Sequence, residues 1–280
     1  MDLLSILLAI AGGIFGASIG ALPAFIFTGV IGLIGWAIAL AGGDSSFVNQ
    51  VVFGPFFGPH IAFAGGVAAA AFAANKRKSL DSGTNTLLPL GSIGDPSIIL
   101  VGGIFGAIGF LVNYLYSTVF GWSFDTIALT VATSGLIARF VFGSSGLIGK
   151  FQKSENESKR SFLPNGTAFI FTIIFSAAVA LLAAYVADMT QSGIVFCISA
   201  ASLLFAQMGF PIPTTHHITA VAGAATLLSG NILFGVLFGI ISAIVFEVSA
   251  RTVNSYVDTH VDPPAIAIAA CTFIATLIFA

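Results

Sequence analysis

"PIPTTHHIT" runs from Pro211 to Thr219. Two prolines, three threonines and two histidines break into a stretch that is otherwise apolar. Only 13 residues, His217 to Ser229, follow before the next polar turn. At 1.5 Å per residue they make about 20 Å of helix, short of the roughly 30 Å hydrocarbon core of a bilayer. Pro211 and Pro213 keep the preceding chain out of the helix, because proline lacks the amide donor and pushes its neighbour away from the helical region. The expectation is a half-length helix completed by extended chain. Such backbone is tolerated at membrane depth only against protein or a water-filled cavity.

The same design occurs earlier. "FGPFFGPHIAFAGG" (Phe53 to Gly66) also runs through prolines into a histidine followed by isoleucine. Aligned on their histidines, Pro59 to Ala70 lies beside His216 to Leu227 at an offset of 157. His60-Ile61 then meets His217-Ile218, and Gly66 meets Gly223. "DTIALTVATSGLIARFVFG" (Asp125 to Gly143) lies beside "DPPAIAIAACTFIATLIFA" (Asp262 to Ala280) at an offset of 137, with six of nineteen positions identical. The two pairings keep the same order, which is the mark of an internal duplication.

Around these stretches the chain is 57% hydrophobic and 7% charged over 280 residues, with mean hydropathy +1.06. Soluble domains carry about 25% charged residues. Several charge-free runs reach the roughly 20 residues that a spanning helix needs, and they lack the alternation of a membrane β-strand. The composition predicts an all-α polytopic membrane protein. No nucleotide-binding loop, zinc spacing or soluble domain is visible. A net charge of −2 gives no reason to expect nucleic acid. Cys197 and Cys271 lie in apolar segments, so no disulfide framework is expected. The N-terminus, "MDLLSILLAI", lacks the basic region of a cleaved signal peptide.

Apolar segments fall near 3–20, 23–41, 60–75, 97–120, 125–143, 166–187, 192–208, 217–229, 231–250 and 264–280. That gives about ten transmembrane segments: residues 1–149 form a first five-helix repeat, 150–163 a cytoplasmic linker and 164–280 a second repeat. Basic residues concentrate in cytoplasmic loops. With ten crossings of the cell (inner or plasma) membrane and both termini outside, Lys76 to Lys78, Lys150 to Arg160 and Arg251 all fall on the cytoplasmic side. Making segments three and eight re-entrant leaves eight spans and moves Arg251 to the opposite side. Because five is odd, two five-span repeats have inverted topology, the architecture of secondary transporters and some channels. Asn156-Glu157-Ser158 and Asn165-Gly166-Thr167 fit the glycosylation pattern but fall on the inner side, as chance matches do.

The free amides and positive dipole of a half-helix start suit a small polar or anionic solute. The expected substrate site is His60, Thr214, Thr215, His216, His217 and Thr219, with Asn113 either lining a cavity or bonding a neighbouring helix. A structural alternative stands beside it: a threonine caps the helix and the histidines bond within a packed interior. Three histidines on two segments do not make a metal-ligand spacing, so neither metal nor cofactor is expected. Asp125 and Asp262 start equivalent helices and read first as N-caps, with coupling or gating as the second reading. Glu247 and Arg251 are spaced for an i,i+4 ion pair, with an ion-coupling or gating site at Glu247, and at Arg139, as the lesser reading. Arg139, near a helix end, is expected to snorkel, with pairing to Glu247 as the weaker option. The loop Ser79 to Ile98 reads as a lid or a hairpin dipping into the membrane, and Lys150 to Arg160 as a solvated linker.

These features predict a small permease, not an enzyme: no Ser/Lys pair, aspartate pair or HExxH helix is visible. Imidazole titrates near neutrality, which suits proton coupling through His60, His216 or His217. A channel on the same architecture and a non-transporting membrane subunit are the alternatives. The expected partners are a small solute and the bilayer, with homo-oligomerisation left open.

Overall fold

The computed structural model describes residues 2–153 and 159–280. The Asn156 glycosylation match and the middle of the expected linker lie outside them. Among the described residues the fold is helical throughout, with one isolated bridge between Gly83 and Thr259. Helix α1 (Leu3–Ile19) turns sharply at Gly20, where φ is +100°, into α2 (Ala21–Leu40). Next come α3 (Ala62–Phe72), which continues as a wide turn to Arg77, α4 (Pro96–Tyr114), which continues to Val119, and α5 (Thr126–Phe142). The second half holds α6 (Gly166–Thr190), α7 (Phe196–Ser202), α8 (Leu204–Gln207), α9 (His216–Ser229), α10 (Ile232–Val253) and α11 (Pro263–Phe279).

Among the described residues, four helical stretches are long and apolar enough to cross a membrane: 21–40, 96–119, 166–190 and 232–253. The others are shorter. The segment expected at 192–208 is not one helix. A short 3₁₀ turn, α7 and α8 follow one another, and the Ser202 hydroxyl bonds back to the Ser199 carbonyl at the break. A serine that takes a backbone carbonyl in this way competes with the helix ladder.

Small residues face inward and large ones outward. Ala17, Ala68, Ala69, Ala180 and Ala184 are fully buried, whereas Leu182, Leu233 and Leu277 are about 70% exposed. Lipid tails are as apolar as leucine, so helices associate through close backbone packing instead of burying large side chains. A Cβ on Gly13 would overlap the Gly102 carbonyl, so α1 and α4 come this close only because glycine stands there.

The packing pattern recurs. In the first half α1 contacts α3 and α4, α3 contacts α4 and α5, and α2 contacts α3. In the second half α6 contacts α9 and α10, α9 contacts α10 and α11, and α7 contacts α9. Between the halves, α2 packs on α7 and α5 on α11. Gly29 meets Ala200 and Ala201 while Gly32 meets Cys197, so α2 and α7 run antiparallel. The amide of Asp125 donates to Thr272 Oγ1 (3.2 Å), and Gly135 lies against His260 and Val261, so α5 and α11 are antiparallel too. The core between the halves joins Phe63 and Val67 of α3, Val131 of α5, Val221 of α9 and Ile268 of α11.

The loop from Ser79 to Ile98 is neither free nor a simple hairpin. Leu90 is buried against Ala17 and Ala69, the Leu22 amide donates to the Thr86 carbonyl (2.8 Å), and the His260 amide donates to the Gly83 carbonyl (3.2 Å). The far end of the linker is also tied down. Arg160 Nη2 donates to the Ile148 carbonyl (2.7 Å), and its guanidinium lies 5.1 Å from the Tyr256 ring centre.

Candidate functional site

Helix α9 starts with Thr215 at its N-cap, and the Thr215 side chain makes no cap bond. Ser242, midway along α10, donates to the His217 carbonyl (3.0 Å). The helix therefore begins level with the middle of its long neighbour. In the first half the His60 carbonyl lies against Gly109, near the middle of the 96–119 helix, where a Cβ would overlap it. Each half-length helix thus starts level with the middle of a long neighbour.

The offset of α5 and α11 brings two more helix starts inward. Asp125 lies against Thr272, midway along α11, and the Asp262 end of α11 lies beside Gly135, midway along α5. Each aspartate caps its own helix: Asp125 accepts from the Ala128 amide (2.8 Å) and Asp262 from the Ala265 amide (3.0 Å). Pro263 and Pro264 follow Asp262, and proline suits the first helical turn because no amide is needed there. The other oxygen of Asp262 is 3.1 Å from His260 Nε2, and His260 Nδ1 is 3.3 Å from Asn254 Nδ2.

These four helix starts wall a central cavity of about 770 Å³. Pro59 and Phe63 line it from the α3 end, His216 from α9, Asp125 from α5 and Asp262 from α11. Phe25, Phe53, Phe124, Phe196 and Phe246 complete an aromatic surface. Thr86 and Leu87 of the Ser79 to Ile98 loop close part of the wall. Two carboxylates reach the cavity, and no lysine or arginine among the described residues does. His216 is 6% exposed, its ring lies 4.8 Å from that of Phe25, and its Nδ1 has no hydrogen-bond partner.

The expected site residues separate. Thr214 and His216 line the central cavity. His217 and Thr214 line a second cavity of about 530 Å³, bounded by the first turns of α6 and the last turns of α10, and the His217 ring stacks 4.2 Å from Phe246. Thr219 Oγ1 donates to the His216 carbonyl (3.3 Å). His60 is buried and lines neither cavity; its ring packs on Gly58. Asn113 lines neither, and its Oδ1 accepts from Thr126 Oγ1 (2.9 Å), joining α4 to α5. Glu247 and Arg251 form their i,i+4 pair (3.1 Å) at the wall of the second cavity.

Arg139 departs from expectation. It is 1% exposed, so it does not snorkel, and it does not pair with Glu247. Its guanidinium donates to Thr259 Oγ1 (2.9 Å), the Thr259 carbonyl (2.6 Å) and the carbonyls of Leu147 and Val253. Folding the α10–α11 loop over the end of α5 supplies acceptors that water was expected to supply. His260 and Asn254 were absent from the sequence expectation. "DTHVDPPAI" carries a histidine two residues before the capping aspartate, and that spacing was the available signal.

A family described as being of unknown function, DUF7973, matches the chain twice, over residues 1–158 and over 152–280. No curated protein and no solved structure matches it.

Proposed function

The chain belongs to the DUF7973 family, a family of unknown function, and from that premise we propose that it is a secondary membrane transporter built from two inverted five-segment repeats. The carrying observation is the central cavity between the halves, walled by four helix starts. Two further observations support the duplication. Equivalent helices make equivalent contacts in each half, and two helix pairs across the halves, α2 with α7 and α5 with α11, each run antiparallel to their own equivalent. A two-fold axis that reverses helix direction lies in the membrane plane, as in transporters with inverted repeats. The two family matches also meet within residues 152–158, in the linker.

In this reading one half rocks against the other and exposes the cavity to each side in turn. Any coupling proton is carried by His216, the one histidine of the expected three that faces the cavity. The test is an uptake screen in proteoliposomes across pH. Accumulation of at least one small polar solute is expected, reduced about tenfold or more by His216→Ala. Absence of flux for every solute, with His216→Ala indistinguishable from wild type, sinks the proposal. Flux too fast for alternating access reassigns the protein to a channel, and a fixed co-purifying partner reassigns it to a membrane subunit.

The topology has its own test. Both native cysteines are buried, so a single added cysteine reports cleanly. Cysteines at Asp44 and Asp188 are expected to label from outside, and those at Lys78, Lys153 and Arg251 only from inside. External labelling at 251 overturns the inverted ten-segment arrangement.

A further inference from the structure

We infer that Nδ1 of His260 is a proton-binding site in the wall of the central cavity, and that a proton taken up there releases the joint between α10 and α11. The inference concerns a different group from His216 and does not rest on the transport step.

Three polar side chains of the cavity wall, Asn254, His260 and Asp262, are bonded in a row. Asn254 ends α10 and Asp262 caps the start of α11. His260 lies between them. Its backbone amide donates to the Gly83 carbonyl of the first half (3.2 Å), and its ring lies 6.1 Å from that of Phe63 in α3.

The backbone fixes where the protons are. The Val261 amide can only donate, and it lies 3.2 Å from the Asn254 side chain, so the atom it meets is Oδ1. The other arm of that side chain is then Nδ2, which can only donate, and it lies 3.3 Å from His260 Nδ1. Nδ1 must accept, so it carries no proton. The ring proton is therefore on Nε2, which donates to Asp262 (3.1 Å). The second oxygen of Asp262 accepts from the Ala265 amide (3.0 Å). The row is matched donor to acceptor only while His260 is neutral.

A proton on Nδ1 breaks the match. Both ring nitrogens then donate, and Nδ1–H faces Nδ2–H. Reversing the Asn254 amide offers Oδ1 to the ring but turns Nδ2 against the Val261 amide. Either the ring or the Val261 amide loses its acceptor. Val261 is fully buried, where an unmatched amide is costly. The Asp262 carboxylate meanwhile favours the imidazolium. Proton uptake thus strengthens the link from His260 to α11 and cuts the link to α10.

The other titratable side chains that reach this cavity are Asp125 of α5 and His216 of α9. From α3 the ring meets Phe63, and the 79–98 loop presents a carbonyl. Next in the chain, Thr259 holds the Arg139 guanidinium, and Asp258 is bonded by Ser144 and Ser145. Among the described residues Asn254 is the one side chain bonded to Nδ1.

The test is nitrogen NMR of the full chain in detergent with isotope-labelled histidine, His260 being assigned by the signal lost in His260→Gln. Histidine changes charge between about pH 5 and 8. At the alkaline end His260 is expected as the Nε2–H tautomer. As it becomes imidazolium, the Val261 amide is expected to lose about tenfold or more of its protection from solvent exchange. Asn254→Asp places a carboxylate that accepts from both Nδ1–H and the Val261 amide. It is expected to raise the pH at which His260 titrates by about one unit or more, and to keep Val261 protected in acid. A purely structural role for Asn254 would not move the titration that way. An Nδ1–H tautomer at the alkaline end, a His260 that stays neutral down to about pH 5, or a Val261 protection that is the same on both sides of the titration overturns the inference. So does an Asn254→Asp variant whose His260 titrates as in wild type.

Discussion

The carbonyl of His60 lies against Gly109, and the carbonyl of His217 against Ser242, each near the middle of a long helix. The surroundings differ. In the first half Phe15, Phe56 and Phe57 close over the lead-in with ring centres 4.1 to 5.7 Å apart, and Thr28 Oγ1 bonds the Phe57 carbonyl (2.9 Å). Backbone bonds from Phe57 to Val51, Gly58 to Gly54 and Ala62 to Gly58 tie that lead-in into turns. In the second half Pro211 to Thr215 runs without regular structure, with cavities on both sides of Thr214. The first lead-in is a packed wall, and the second borders two cavities. Segments that open readily are those with few backbone bonds and little packing, and here that is the second lead-in.

Exchanging the two contact residues tests this difference most strongly. Gly109→Ser would drive a side chain into the His60 carbonyl, and a loss of about 3 kcal/mol or more is expected, read as a fall in thermal stability in detergent. A variant that melts like wild type would mean the first half is not sealed. The α5–α11 pair carries the next contrast. At the aligned offset Arg139 corresponds to Thr276. Arg139→Lys loses the planar fork that reaches three carbonyls and a hydroxyl, and a cost of about 2 kcal/mol is expected. Thr276→Val should stay within about 0.5 kcal/mol. Similar melts for the two variants would erase the contrast.

Ser242→Ala removes one bond to the His217 carbonyl and is expected to cost about 1 kcal/mol. The same melting experiment checks it, and a loss as large as that of Gly109→Ser would contradict an open second half.

The fourth effect depends on pH. Partial burial pulls the Asp258 carboxyl upward, but bonds from Ser144 and Ser145 outweigh it and hold the group below its ordinary value of 3.8. A lowered carboxylate stabilises the fold fully above its unfolded value and loses that contribution as pH falls through its folded value. Asp258→Asn should therefore be less stable than wild type at neutral pH, by about 0.5 kcal/mol. The gap should close below about pH 3.8. A gap that persists in acid would assign the loss to packing. The smallest effect belongs to Glu247→Gln, which breaks a part-exposed i,i+4 pair worth about 0.3 kcal/mol. A larger loss would mean that the second cavity depends on this pair.

Local features were readable in the sequence because their causes are local. Proline without a donor keeps a helix from continuing through it, so the half-length α9, expected from His217 and observed from His216, follows from "PIPTTHH". Asp125 and Asp262 cap their helices because the bond spans three residues. Glu247 meets Arg251 because four residues make about one turn. Long-range placement was not readable. The wish of Arg139 for solvent gave way to carbonyls more than a hundred residues away.

The sequence by itself determined an all-helical, apolar chain with two proline-led half helices and two aspartate-started ones, because composition and backbone chemistry act within a few residues. Only the tertiary structure decided that the four starts meet at one cavity, that His216 and Asp125 face it while His60 does not, and that His260 joins them. Those outcomes depend on which small residues allow two backbones to approach, at Gly109, Gly135 and Gly29, and close approach is a property of both surfaces at once.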